Sequence, residues 1–240
     1  MTSPKVQHFI YFVRHAECGG NTDEKFPKET DGLTETGRDQ AKLLADVLPD
    51  FTHVYASSYQ RAVETAERIL TVHKGRGSCT PGLKVKVEAR LKERDCGDLT
   101  AFRWDSTIWQ EKFKELATGK KFYQLEFPGS SETSADFQAK QKNFIKEMID
   151  TLRKDSVAKK SSSILLVSHA MYLKCIMDSM MDGKFSDFLT LSHPPITDFP
   201  WATKNTTCTK VGVEFNLQDG KKAVVTVLET NSTKHLDIEK

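Results

Sequence analysis

Apolar positions along this chain switch between a strand-like period and a period near that of a helix, and the switches mark its elements. Phe9-Ile10-Tyr11-Phe12-Val13 is an almost unbroken apolar run and predicts a buried strand. Over 34–48, Ala41, Leu44, Ala45 and Leu48 form the stripe of a helix packed on a sheet. A second strand is predicted over 52–56, and a second helix over 61–72 through Ala62, Thr65, Ala66, Ile69 and Leu70. Val85 and Val87 alternate with polar neighbours as a third strand does. Beyond Asp98 the pattern loosens, with Trp104, Ile108, Trp109, Phe113 and Leu116 on one helical face ahead of Gly119. A long helix over about 133–152 then buries Phe137, Phe144, Ile145, Met148, Ile149 and Leu152. Ile164-Leu165-Leu166-Val167 is uniform enough for a central parallel strand. A further helix follows over about 171–181, and 184–206, with His193-Pro194-Pro195 and Pro200, reads as loop. The apolar runs 211–217 and 223–228 flank Asp219-Gly220, a strong hairpin signal. Strands alternating with helices, then a terminal hairpin, predict an α/β three-layer sandwich: a mostly parallel central sheet, helices on both faces and an antiparallel edge hairpin.

At 240 residues the chain can bury a sizeable core, and the pattern suits one domain over 1–240 with an inserted cap segment at about 97–131. Net charge is +2 at pH 7 with both signs interspersed. No global field therefore points to nucleic acid or an anionic membrane, and recognition of an anion has to be local. Met1 to His8 lacks the basic flank and apolar core of a signal peptide, and no segment approaches membrane-spanning length, so a cytoplasmic protein is expected. Cys18, Cys79, Cys96, Cys175 and Cys208 are odd in number and contain no CxxC pair, which fits reduced thiols better than a disulfide frame or a zinc site. No structural metal and no cofactor are expected.

Candidate chemistry lies where strands give way to helices. Arg14-His15-Ala16-Glu17 follows the first strand directly, at a sheet edge where open α/β folds keep their active sites. A histidine there can act as nucleophile or base, and an arginine fork matches phosphate or carboxylate oxygens. Taken alone, the tetrad reads equally well as a polar strand cap. Arg61 falls in the first turn of the helix after Ser57-Ser58, where its side chain and the helix N-terminus can share an anion. His169 ends the most apolar strand and opens a helix. With Glu93 these positions make one set: two histidines, two arginines and a carboxyl at successive junctions.

The set belongs to longer matching stretches: Val13-Arg14-His15-Ala16-Glu17 with Asn21, Leu33-Thr34-Glu35-Thr36-Gly37 with Gln40-Ala41, Ser57-Ser58 with Arg61-Ala62 and Thr65-Ala66, Leu91-Lys92-Glu93-Arg94 with Gly97, and Val167-Ser168-His169. In this order they resemble the histidine phosphatase superfamily, the fold of the cofactor-dependent phosphoglycerate mutases and related phosphatases. Within it, Arg90-Leu91-Lys92-Glu93-Arg94, Val167-Ser168-His169-Ala170-Met171-Tyr172 and Thr233-Lys234-His235-Leu236 look most like the TIGAR-type fructose-bisphosphatases.

The resemblance implies a two-step phosphoryl transfer. Neutral His15 would attack phosphorus to give a phosphohistidine, while Arg14, Arg61 and His169 neutralise the equatorial oxygens. Glu93 would protonate the leaving alkoxide and then deprotonate the attacking water. Asn21, Ala170 and Arg94 would contact the substrate, and no metal ion is required. The family commonly has glycine after each site histidine, and here Ala16 and Ala170 stand there; a positive φ at either would strain the site. After Gly97 the chain reads Asp98-Leu99-Thr100-Ala101, without the tyrosine by which the mutases grip their substrate, and this favours hydrolysis.

Lys92, Arg94, Arg103, Lys120 and Lys121 are candidates for a second anionic subsite, or else solvated surface charges. Fructose 2,6-bisphosphate is then the expected substrate. Broad-specificity or protein phosphatase, phosphoglycerate mutase and a catalytically silent binding protein are the alternatives, in that order. Ser130, Ser131 and Thr133 read as caps of the long helix, and Ser57, Ser58 and Ser168 as junction residues.

Overall fold

The apolar run at the start of the chain forms β1 (His8–Arg14) at the centre of a seven-stranded sheet. Its side chains alternate between two cores, which explains why the run carries no polar interruption. Ile10 and Phe12 join the core on one face of the sheet, and Tyr11 and Val13 join the core on the other. The structure is a computed structural model that describes residues 6–22, 26–77, 80–103, 105–192, 204–216 and 222–237.

After β1 come the single turn α1 (Gly19–Thr22) and helix α2 (Glu35–Val47), followed by β2 (His53–Ser57), α3 (Gln60–Gly75) and β3 (Val85–Glu88). Helices α4 (Thr107–Ala117) and α5 (Ser134–Val157) precede β4 (Ser162–Ser168) and α6 (Ala170–Met181). The short β5 (Leu189–Leu191) and the pair β6 (Cys208–Phe215) and β7 (Ala223–Ser232) complete the sheet. Strand order is β3-β2-β4-β1-β6-β7-β5. The first four strands in that order run parallel, β6 is antiparallel to β1, and β7 is antiparallel to β6. The expected sandwich is therefore present.

Helices α2 and α3 cover one face, and α5 and α6, with Trp109 of α4, cover the other. Leu44 and Ala45 of α2 and Ala62, Ala66, Ile69 and Leu70 of α3 pack on Tyr11, Val13, Val54, Ala56, Leu165 and Val167. Phe137, Phe144, Ile145, Met148, Ile149 and Leu152 of α5 and Tyr172, Ile176 and Met180 of α6 pack on Ile10, Phe12, Ile164 and Leu166. Each fully buried Leu, Ile, Phe or Met side chain contributes roughly 1.5–3 kcal/mol of burial free energy. Thr34 caps α2 by accepting from Gly37 N, and Thr133 caps α5 by accepting from Asp136 N.

Two readings change. β5 lies inside the stretch 184–206 expected to be loop and pairs in parallel with β7; at three residues it shows no period. The face predicted for α4 is split: Trp109 is fully buried and its indole N–H donates to Leu99 O at 3.1 Å, whereas Ile108 and Phe113 are exposed. Trp104, the loop prolines with His193, the Asp219-Gly220 turn and Cys79 lie outside the described residues. The four described cysteines are free and buried. Among the described residues no helix is long and apolar enough to cross a membrane.

The two ends of the segment 97–131 meet. Gly97 has φ +57°, and a Cβ there would stand 2.5 Å from Pro128 O, so only glycine lets the chain turn while touching Pro128.

Candidate active site

The tetrad after β1 is held by its backbone from several sides. Arg14 N–H donates to Thr207 O at 3.1 Å, His15 N–H to Ser168 O at 2.9 Å, Ala16 N–H to Thr65 Oγ1 at 3.0 Å and Glu17 N–H to Gln40 Oε1 at 2.9 Å. A Cβ on Gly37 would fall 2.1 Å from Glu17 O, so the glycine lets α2 close on the tetrad. Neither Ala16 nor Ala170 has positive φ, and the methyl groups introduce no backbone strain.

This frame fixes the tautomer of His15. Its Nδ1 lies 2.8 Å from Ala16 O, and because a carbonyl only accepts, Nδ1 carries the proton and Nε2 keeps the lone pair. Arg61 Nε donates to that Nε2 at 3.2 Å, and Arg61 Nη2 donates to His169 Nδ1 at 3.3 Å. His169 then carries its proton on Nε2 and donates to Ser57 Oγ at 2.8 Å. The guanidinium is itself anchored by Nη1 donating to Lys28 O at 2.8 Å and by lying 4.8 Å over the Tyr59 ring. The two imidazole centroids are 5.3 Å apart.

Burial, reinforced by the charge of Arg61, holds both histidines well below the usual imidazole pKa. Burial also brings Arg14 down to about 10 and lowers Arg61. Glu93 sits against the N-terminus of α6: Oε1 accepts from Arg94 N at 3.1 Å and Tyr172 N at 2.8 Å, and Oε2 accepts from Met171 N at 3.1 Å. Those amides and Arg61 favour the carboxylate, yet burial outweighs them and the pKa is raised.

Arg14, His15, Asn21, Arg61, Glu93, His169 and Ala170 all line one inner cavity of about 110 Å³, the size of a phosphoryl group with a few waters. It shares Phe26, Pro27, Arg61 and Glu93 with an outer cavity of about 810 Å³. Among the described residues no group of three or more His, Cys, Asp or Glu side chains could hold a metal ion.

The expected second subsite is only partly assembled. Lys92 borders the outer cavity, ion-paired to Glu29 at 3.3 Å and lying 5.3 Å over the Tyr59 ring. Arg103 pairs with Asp105 and Lys120 with Glu115, while Lys121 faces Asp178 at 4.0 Å; none of the three lines the cavity. Arg94, expected as a substrate contact, is among the residues lining the outer cavity. Its guanidinium is buried, donates to Phe122 O at 3.0 Å and Glu132 O at 3.4 Å, and lies 4.6 Å over the Phe127 ring, so it braces the cavity wall. Lys28 and Lys140 line the outer cavity and were not singled out in the sequence; Lys140 pairs with Glu132 at 2.7 Å. Asn205 was also missed, although its Nδ2 donates to His15 O at 2.9 Å from 190 positions away.

The fold is shared with several solved structures. A phosphoglycerate mutase from Bacillus anthracis superposes with a TM-score of 0.68 at 19% identity, covering 97% of this chain and 96% of its own. A mycobacterial glucosyl-3-phosphoglycerate phosphatase gives 0.68 at 16% identity over 95% and 100%. A phosphoserine phosphatase from Entamoeba histolytica, in complex with 3-phosphoglyceric acid, gives 0.64 at 19% identity over 95% and 99%. The comparison with curated proteins returns no match. The sequence profile of the histidine phosphatase superfamily (branch 1) matches residues 10–209, and the chain belongs to that superfamily.

Proposed function

We propose that this protein is a phosphoric monoester hydrolase that acts through a phosphohistidine at His15 without a metal ion. The tautomer of His15 carries this reading: the Ala16 carbonyl accepts a hydrogen bond from Nδ1–H, which leaves the Nε2 lone pair of a neutral ring at the inner cavity. In the first step the Nε2–P bond forms and the bond from phosphorus to the leaving oxygen breaks. Protonated Glu93 gives that oxygen its proton. Arg14, Arg61 and the Asn21 amide donate to the phosphoryl oxygens, and His169, whose Nε2–H is held by Ser57, orients the Arg61 fork beside them. In the second step a water attacks phosphorus, its proton passes to Glu93, and the N–P bond breaks to release phosphate and restore the acid. The raised pKa of Glu93 suits both steps.

The outer cavity supports an assignment of substrate class. Its volume leaves room for a sugar beyond the transferred phosphoryl group, and Lys28 lines it with Lys92 and Lys140, which would exchange Glu29 and Glu132 for a second phosphate. Thr100, Ala101 and Ser130 line it from the cap segment 97–131, within a single domain over 1–240. Fructose 2,6-bisphosphate is the substrate we assign, in keeping with the likeness to TIGAR-type enzymes. The protein would work in the cytoplasm on small phosphate esters, without nucleic acid or membrane as partner. A panel of fructose 2,6-bisphosphate, 2,3-bisphosphoglycerate, phosphoglycolate and a phosphotyrosine peptide tests the assignment. The highest kcat/KM is expected for the first, and a preference for the phosphopeptide contradicts it.

A further inference from the structure

Asn21 has an amide whose orientation decides whether it offers the inner cavity a donor or an acceptor, and the residues around it allow one answer. Asn205 Nδ2 lies 2.9 Å from His15 O and 3.1 Å from Asn21 Oδ1. A backbone carbonyl cannot donate, so the atom of Asn205 facing it is the NH2 group. The Asn21 atom facing that same NH2 must then be its oxygen. Cys18 agrees with this orientation: its backbone N–H, which only donates, points to Asn21 Oδ1 at 3.3 Å, longer than the 3.1 Å contact from Asn205. The Cys18 thiol also donates to this oxygen at 3.3 Å. Asn21 Oδ1 is thus saturated by protein donors, and Nδ2 is the polar end left for the cavity that Asn21 lines.

Asn205 is held in place by a residue in an uncommon conformation. Thr206, β-branched and fully buried, has φ +58°, which persists only where the surroundings enforce it. Its hydroxyl donates to Asn205 O at 2.7 Å and accepts from Nε2 of the buried His235 at 2.8 Å. Thr206 N–H also points to His15 O at 3.4 Å. His235 therefore pins the turn, and the turn delivers the Asn205 amide between the His15 carbonyl and Asn21.

We infer that Asn205 is a positioning residue for phosphoryl transfer: it sets the Asn21 amide so that Nδ2 faces the transferred phosphoryl group. This rests on the proposed hydrolase reading. Asn205→Asp keeps the shape but sets an acceptor against Asn21 Oδ1, in opposition to the Cys18 N–H, so that the amide no longer holds Nδ2 toward the anion. Thr206 N–H points to His15 O from the backbone and does not depend on the Asn205 side chain for its donor, so the effect is expected to run through Asn21.

Orthovanadate binding and kcat/KM are measured for wild type, Asn205→Asp, Asn205→Ala, Asn21→Ala and the double alanine variant, with thermal melts to confirm folding. Asn205→Asp is expected to weaken vanadate binding and lower kcat/KM by about tenfold or more. Adding Asn205→Ala to Asn21→Ala is expected to change either quantity by no more than about twofold. A purely structural role predicts losses that multiply, and multiplied losses or near-wild-type vanadate binding by Asn205→Asp overturn the inference. If wild type binds vanadate but hydrolyses no phosphomonoester, the hydrolase reading fails while the binding cycle still decides Asn205. If wild type binds no vanadate, both fall.

Discussion

Arg61 donates from Nε to Nε2 of His15 at 3.2 Å and from Nη2 to Nδ1 of His169 at 3.3 Å, so a single guanidinium holds the lone pairs of both site imidazoles. One planar fork thereby orients two rings, keeps both neutral and stands ready to turn its donors to a phosphoryl oxygen. An ammonium has neither the reach nor the geometry to replace it. Arg61→Lys is expected to lower kcat by about a hundredfold or more, the scale seen when a transition-state oxyanion donor is removed. Steady-state kinetics on a phosphomonoester checks this, and a variant within about threefold of wild type would show that the fork is dispensable.

Glu93 is predicted to act as the acid, and its dependence on leaving group reports that role. Glu93→Gln should slow a sugar phosphate by roughly 10²–10⁴-fold, the usual worth of general acid catalysis, and a nitrophenyl ester far less. The active form is the protonated one, and burial raises its pKa above the usual 4.5. Activity from this group therefore persists to higher pH than for an ordinary carboxyl and is lost as pH rises through the raised value. A wild-type alkaline limb in kcat/KM that is absent from the Gln variant supports the assignment. Equal slowing of both esters removes it.

Stability should fall on acidification before ordinary carboxylates titrate. His8, His15, His169 and His235 all have pKa values lowered from 6.5, chiefly by burial. Below about pH 6.5 the unfolded chain takes up protons that the folded chain refuses, so unfolding becomes more favourable as pH drops. Glu93, with a raised pKa, acts in the opposite sense, one group against four. Melting temperatures should decline from pH 7 to pH 5, with a smaller decline in His235→Gln; a flat profile would contradict the burial of neutral imidazoles.

Ala16→Gly is expected to leave kcat within about twofold, because the position lacks positive φ and the methyl costs the backbone nothing. A large gain would mean that the methyl hinders the reacting state.

Much of this was legible in the sequence where chemistry and period coincide. The β1 run led directly to His15, and the strand-to-helix junctions gave Arg61 and His169, because a junction both ends an apolar period and exposes its polar residue at a sheet edge. Asn205 left no such trace. Its turn has no period, and its partners lie 184 and 190 positions away, so only the closed sheet brings them together. The lysines show the same limit. Arg103, Lys120 and Lys121 are near Glu93 in sequence but pair with or face carboxylates elsewhere, whereas Lys140 reaches the outer cavity from α5. Arg94 lines the outer cavity, as its place beside Glu93 suggests, but its stacking on Phe127 and Phe137 left no mark in the sequence.

Phosphate on His15 is the most direct test of the mechanism. Protein mixed with a labelled phosphomonoester and quenched in alkali should carry acid-labile, alkali-stable phosphate on His15, absent from His15→Ala and accumulating in Glu93→Gln with a good leaving group. Turnover by wild type with no such label, or label and turnover retained in His15→Ala, would contradict nucleophilic attack by this histidine.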